Sequence, residues 1–271
     1  MLDFLRIKDF QGGGYILNKA RRLLIPYFSV SIAYIPLRLF ASQMASSTYS
    51  MRDIWKIFLG VSPNGGAWFL YVLFLFNLMT FIFTKEEHLK IVVIISFVIS
   101  LLTKGKILNI EFSVLRYVCF NYFFFVSGLL CAIDKKINFK KKISESRLIY
   151  QISAFVIIYI IFQYLSCYIF STILGTIGVS IVLSISYKIS ETVLKYREVL
   201  AQLGQDSMYI YIIHGPVQVI VRYLVWSKIN LPYGICVLIL FVSGLFVSLI
   251  VECLVVKKIK PLNWLCTGEW K

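Results

Sequence analysis

Apolar residues along this chain come in long uninterrupted runs separated by short polar stretches. Eight runs approach the roughly 20 residues that a helix needs to cross a bilayer core. They lie at about 23–43, 66–84, 89–103, 114–133, 148–165, 167–186, 207–226 and 233–256. The third is short, and almost no loop separates the fifth from the sixth. Each predicts a helix, because lipid offers no partner to an open backbone. The pattern gives an all-α fold, a polytopic membrane helix bundle with about eight transmembrane helices. Its expected organisation is a basic cytoplasmic N-terminal segment over 1–22, with a flexible point at Gly12-Gly13-Gly14, a single membrane domain over 23–256 and a cytoplasmic tail over 257–271. No internal repeat or low-complexity tract interrupts it.

Composition sharpens this class. Hydrophobic residues make up 59% of the 271 and charged residues 15%, whereas a soluble domain carries about a quarter charged. The net charge of +15 would suit a nucleic-acid partner. However, the lysines and arginines sit in short segments between apolar runs, the signature of topology, so no nucleic acid is expected. Of the 28 basic residues, 20 fall on one side of the alternating spans. They include Lys19, Arg21, Arg22, the run Lys140–Lys142 and Lys257. The other side holds the remaining eight: Arg52, Lys56, Lys104, Lys106 and Lys228, with Arg38, Arg116 and Arg222 near helix ends. The rich side is cytoplasmic. Both termini are then inside, as an even number of spans requires, and the expected location is the inner (cytoplasmic) membrane, multi-pass. The N-terminus lacks the apolar region and cleavage site of a signal peptide. The six cysteines are scattered without metal spacing and read as small core residues, so no metal is expected.

Candidate chemistry starts from polar residues inside spans, which are costly there. In the first span Tyr27, Ser31, Tyr34 and Arg38 share one helix face. Arg38 lies about 24 Å beyond Arg22 at 1.5 Å per residue, near the opposite surface. The seventh span repeats the pattern with Ser207, Tyr211, His214, Gln218 and Arg222, and Pro216 is expected to bend that helix. Two such stripes suggest a shared polar cavity, although each residue also reads as a helix–helix hydrogen-bonding group and the arginines as snorkelling cations. His214, the single histidine within a span, suits a general base and equally a packed, hydrogen-bonded residue. His88 reads as solvated, Lys140–Lys142 as a topology signal meeting anionic lipid, and Trp68 and Trp226 as interfacial anchors. Gly60 to Gly66 form a turn-rich outer loop. No P-loop, dinucleotide fingerprint, nucleophile elbow or zinc-spaced set is present.

Four stretches carry a resemblance: KARRLLIPY (Lys19–Tyr27), GAWFLYVLF (Gly66–Phe74), YVCFNYFFFVSGLL (Tyr117–Leu130) and LGQDSMYIYIIHGP (Leu203–Pro216). In this order and spacing they resemble the acyltransferase-3 family of integral membrane acyltransferases, which includes polysaccharide O-acetyltransferases and fucose 4-O-acetylase-like proteins. The first stretch is similar to the family's Arg-x-x-Arg, with Lys19 in the first place and Arg22 in the second. The resemblance implies transfer of an acyl group, commonly acetyl, from cytoplasmic acyl-CoA as co-substrate to a hydroxyl of a cell-surface glycan acceptor. It associates the pair Lys19 and Arg22 with the CoA end, where Arg21 beside them also suits the CoA phosphates, with no bound cofactor. His214 as base and Tyr211 as hydrogen-bond donor are candidate catalytic residues, and Tyr27, Ser31, Tyr34, Arg38, Trp68, Ser207, Gln218 and Arg222 candidate cavity-lining ones. It also implies ten core helices, of which the eight spans look like the third to tenth. The first two, with the family's histidine, have no counterpart, so a partner chain supplying them is an expectation. Two other readings of the stripes are an exporter of a lipid-linked sugar or polysaccharide and a truncated, non-catalytic subunit.

Overall fold

The computed structural model describes residues 13–42, 51–82, 86–133, 148–165, 169–192, 194–228 and 231–268. Every regular element among them is helical. In chain order these are α1 (Gly13–Ser42), a 3₁₀ helix (Met51–Leu59), α2 (Trp68–Ile82), α3 (Glu86–Lys104), α4 (Ser113–Ile133), α5 (Leu148–Leu165), α6 (Ile169–Thr192), α7 (Leu194–Lys228), α8 (Tyr233–Val251) with a π turn (Glu252–Val256), and α9 (Lys260–Thr267). Among the described residues each of the eight predicted spans coincides with a helix. Among the described residues four helical stretches are long and apolar enough to cross a membrane: Ser113–Ala132, Phe170–Ile189, Arg197–Val225 and Tyr233–Val256. Trp68–Phe81 and Leu148–Tyr164 are apolar but shorter. α1 carries its basic cluster and polar stripe on the helix itself, and α3 holds Glu86, Glu87, His88, Lys90 and Lys104.

The lateral surfaces are those of a membrane protein. Phe241, Leu238 and Phe246 on α8, Ile94 on α3 and Val182 on α6 are more than half exposed. Ser100, Thr172, Ser184 and Ser248 are fully buried. Apolar side chains outward with hydroxyls inward suit lipid, in which helices associate through small residues and polar contacts; in water such a surface would be an interaction liability. The chain is therefore an all-α membrane helix bundle.

Three sequence expectations change. α1 begins at Gly13, so the glycine-rich point opens a helix, and Lys19, Arg21 and Arg22 belong to the same rod as Tyr27 and Arg38. α7 starts at Leu194 and runs unbroken through Pro216. Part of the tail after residue 256 folds into α9, bracketed by Pro261 at its start and by Gly268, whose φ of 67° closes its end. Pro at a helix start and Gly just past its end is a readable signal.

The described residues form two compact units. In the unit of residues 78–201, α3 packs along α4 and α5 along α6. Ser100 Oγ donates to the Phe120 carbonyl at 3.0 Å, and Thr80 and Tyr122 pair their hydroxyls at 3.2 Å. Gly175 of α6 lies against the Phe124 ring, 2.9 Å from where a Cβ would stand, so the absent side chain permits that approach. The second unit, residues 13–77 with 202–268, holds α1, the 3₁₀ helix, the start of α2, most of α7, α8 and α9. Every candidate site residue lies in it.

Candidate functional site

The site is built on α1 and α7, which run in the same direction. Val30 of α1 meets Tyr209 and Ile212 of α7 in one buried cluster. Further along, the charges of Arg38 on α1 and Arg222 on α7 both act at Tyr34. The two helices therefore lie side by side, and a third element mediates part of the contact.

That element is the segment 60–67. Gly60, at φ 81°, ends the 3₁₀ helix with its N–H donating to the Ile57 carbonyl at 3.0 Å. The chain then turns inward. Tyr27, fully buried, donates its hydroxyl to the Ile57 carbonyl at 2.7 Å. Ser31, also fully buried, shares a 2.7 Å hydroxyl pair with Ser62. The Asn64 N–H donates to Ser62 Oγ at 3.2 Å, and Asn64 Oδ1 accepts from the Gly66 N–H at 3.2 Å. The Asn64 amide presses on Gly215 of α7, 3.1 Å from where a Cβ would stand. Tyr211 donates its hydroxyl to the Gly66 carbonyl. The turn-rich loop is thus a polar wedge tying α1 to α7. Ser62 and Asn64 are the residues that sequence reasoning missed. Their signal was a cluster of turn formers between two apolar runs, which reads first as a surface loop.

Of the stripe residues, Tyr34 and Arg38 line a cavity of about 380 Å³ with Asp53, Lys56, Ser62 and Gly65. Asp53 and Lys56 form an ion pair at 2.7 Å. Tyr27 and Ser31 lie below it as hydrogen-bonded core. Trp68 is half-buried with its ring edge-on to Phe69, centroids 6.1 Å apart. Ser207 is exposed and bonds the Gly204 carbonyl of its own helix at 2.8 Å, so it does not line the cavity. Gln218 packs on Gly244 of α8 and Arg222 is exposed. The Trp226 side chain and Lys140–Lys142 lie outside the described residues.

Tyr211 spends its one phenol hydrogen on the Gly66 carbonyl and so ties α7 to the wedge. Its ring lies 5.8 Å from that of His214, between centroids. His214 Nδ1 lies 3.0 Å from the Ile210 carbonyl. A carbonyl has no proton to give, so Nδ1 carries the hydrogen and Nε2 is the basic atom of the neutral ring.

At the opposite end of α1, Lys19 is half-buried with its ammonium 5.4 Å from the Tyr15 ring centroid. Burial, and then the Arg22 charge, push the Lys19 ammonium below its ordinary value. Burial also pushes the Tyr15 hydroxyl up to about 12, and that hydroxyl donates to Asn77 of α2 at 2.8 Å. Arg21 and Arg22 are exposed. Three cations within four residues of one helix suit a polyanion.

Beside them α9 docks on α1. Tyr209 of α7 donates to Asn263 of α9 at 2.6 Å. Lys257 reaches Asp206 at 3.0 Å and Glu252, which is 1% exposed, at 2.7 Å. Gln202 donates to the other Asp206 oxygen at 2.7 Å. The hydrogen bond to Glu252, more than the one to Asp206, holds the Lys257 ammonium above its ordinary value. Lys257→Met would leave two facing buried carboxylates without a counter-charge. The expected loss is on the order of 2 kcal/mol, less than the about 3–5 of a fully enclosed pair, because the Lys257 side chain is 43% exposed and solvent screens it. Thermal unfolding in detergent measures this, and Lys257→Arg should recover most of it.

Among the described residues no group of His, Cys, Asp or Glu could hold a metal ion. A family model described as an acyltransferase domain matches residues 4–256. No curated protein and no solved structure matches the chain.

Proposed function

Because this chain belongs to the acyltransferase-3 family of membrane acyltransferases, we propose that it moves an acyl group, acetyl in the first instance, from acyl-CoA to a hydroxyl of a cell-envelope glycan in the inner membrane. The observation that supports this most is the polar seam in the second unit. It comprises the cations at residues 19–22, the buried Tyr27 and Ser31, the Ser62–Asn64 wedge, His214 and the cavity of Tyr34 and Arg38. Lys19, Arg21 and Arg22 would hold the CoA phosphates on the cytoplasmic side. The acceptor would enter at the cavity, whose Asp53, Lys56 and Ser62 can hydrogen-bond a sugar.

Acyl transfer needs a base for the acceptor hydroxyl. In this reading Nε2 of His214 takes the hydroxyl proton as the oxygen attacks the thioester carbonyl. The new O–C bond forms, the C–S bond breaks, and the imidazolium returns the proton to the CoA sulfur. The Ile210 carbonyl fixes the tautomer throughout.

Labelled acetyl-CoA supplied to membranes containing the protein tests this. The expected result is CoA-dependent label in glycan. Absence of such label overturns the enzyme reading in favour of an exporter or a non-catalytic subunit. Lys19→Ala with Arg22→Ala should raise the donor KM at least tenfold, since charge-assisted bonds contribute about 1.5–3 kcal/mol each. Membrane insertion should remain intact, and an unchanged donor KM would remove these residues from the donor site.

A further inference from the structure

The unit of residues 78–201 contains a second polar cavity. It has a volume of about 850 Å³, within the about 300–1,000 Å³ range of ligand pockets. The end of α3, the 105–112 connection, the start of α4 and Ser171 of α6 enclose it. Three cations line it: Lys104, Lys106 and Arg116. Asn109 and Ser171 add hydrogen-bonding groups, Phe120 and Leu108 add apolar wall, and no carboxylate is among the lining residues.

Two features mark the cavity as built. Lys106 has φ 60°, the one positive value for a residue other than glycine among the described residues. A side chain there costs about 1–2 kcal/mol, and the fold accepts that cost at a residue whose ammonium-bearing side chain lines the cavity. Lys104 is half-buried, its ammonium 5.5 and 5.9 Å from the Phe124 and Phe120 ring centroids. The rings hold this cation at the cavity wall. The charge count adds a third argument. These cations belong to the side of the chain that is poor in lysine and arginine, so they are not topology signals. Three cations and no carboxylate among the lining residues suit a bound anion.

We propose that this cavity binds the phosphate headgroup of an anionic lipid. The cations and Asn109 suit phosphate oxygens, while Phe120, the exposed Leu108 and the exposed Ile107 beside it suit the adjoining hydrocarbon chain. The site lies in the other unit from the seam, and its argument is independent of the acyl-transfer reading.

The test is native mass spectrometry of protein from phosphatidylcholine nanodiscs, titrated with phosphatidylglycerol, a polyprenyl phosphate or inorganic phosphate. The intact protein should retain one equivalent of an anionic lipid in preference to phosphatidylcholine, and the more tightly held of the two lipids identifies the source. Lys104→Ala/Lys106→Ala/Arg116→Ala should weaken retention at least tenfold, and Lys104→Arg/Lys106→Arg/Arg116→Lys should keep it within threefold. Lys106→Gly is the second variant, because it removes the charge while relieving the backbone at φ 60°. It should stay folded and bind severalfold more weakly. Equal retention by both charge-removing variants overturns the proposal, as does loss of the bound lipid to millimolar inorganic phosphate, which would make this a free-anion site.

Discussion

His214→Ala is expected to lower acyl transfer by about 10²–10⁴, the contribution of a positioned acid–base group. The fall should appear in kcat with little change in the donor KM, because the cations at residues 19–22 belong to a different helix, α1. A packing role for His214 predicts a different pattern, and the structure supplies the variant that separates the two. His214→Asn places an amide N–H where Nδ1 stands, so the bond to the Ile210 carbonyl, 3.0 Å in the parent, can persist. It has no atom able to take a proton in place of Nε2. If the imidazole is the base, His214→Asn is as inactive as His214→Ala while keeping parent thermal stability. If the ring only packs against Tyr211, His214→Asn retains transfer and the base assignment is wrong. Tyr211→Phe completes the set. It removes the bond to Gly66 and should lower stability by about 1 kcal/mol, reducing transfer only as far as the wedge at 62–66 loosens.

Helix existence was legible because hydrocarbon imposes one requirement on every run: its backbone must bond to itself. What the apolar pattern cannot show is how far a helix continues into water. α1 extends from residue 23 back to Gly13 and α7 from 207 back to Leu194, and in neither extension do apolar positions announce helix. The two stripes were legible at helical spacing, but the packing of Val30 on Tyr209 and Ile212 lies outside both. The stripes' division of labour was not legible. Tyr27, Ser31 and Tyr211 looked like cavity or catalytic groups because a sequence shows a polar residue in an apolar run without its partner. The partners, the Ile57 and Gly66 carbonyls and Ser62, lie on a segment whose composition reads as solvent-exposed. Glu252 was hidden in the same way. A lone carboxylate in an apolar run is costly, but its counter-charge lies across a π turn at Lys257, which Asp206 of another helix shares.

Gly268→Ala should be the most destabilising single substitution in the second unit. Gly268 caps α9 with φ 67° and donates its N–H to the Trp264 carbonyl at 2.7 Å. Alanine there loses about 1–2 kcal/mol in backbone preference alone. The larger effect is contact. A Cβ at this position stands 2.1 Å from the Arg21 carbonyl oxygen, 2.6 Å from its carbon and 2.8 Å from the Arg22 Cα. All three are backbone atoms of α1, so no rotamer change relieves them, and α9 must lift away. That breaks the docking of Asn263 and Cys266 and shifts the backbone that carries Arg21 and Arg22. A combined loss of about 3 kcal/mol or more is expected, in the range reserved for strained or overpacked positions. Cys266 supplies a local readout. Burial pushes its thiol up to about 11, so near pH 8 it is neutral and slow to alkylate. With α9 displaced, the thiol returns towards its ordinary value and becomes reactive, a change that mass spectrometry of the modified peptide detects at that residue. Gly178→Ala is the matched control. Its Cβ would sit 3.7 Å from the Phe155 ring in ordinary contact, so it should be neutral or stabilising by about 0.5–1 kcal/mol. Parent stability together with a protected Cys266 in Gly268→Ala would show that α9 does not rest on α1 at this point. Lost stability with rapid alkylation, joined by a rise in donor KM, would show that the C-terminal helix holds the basic end of α1 in place.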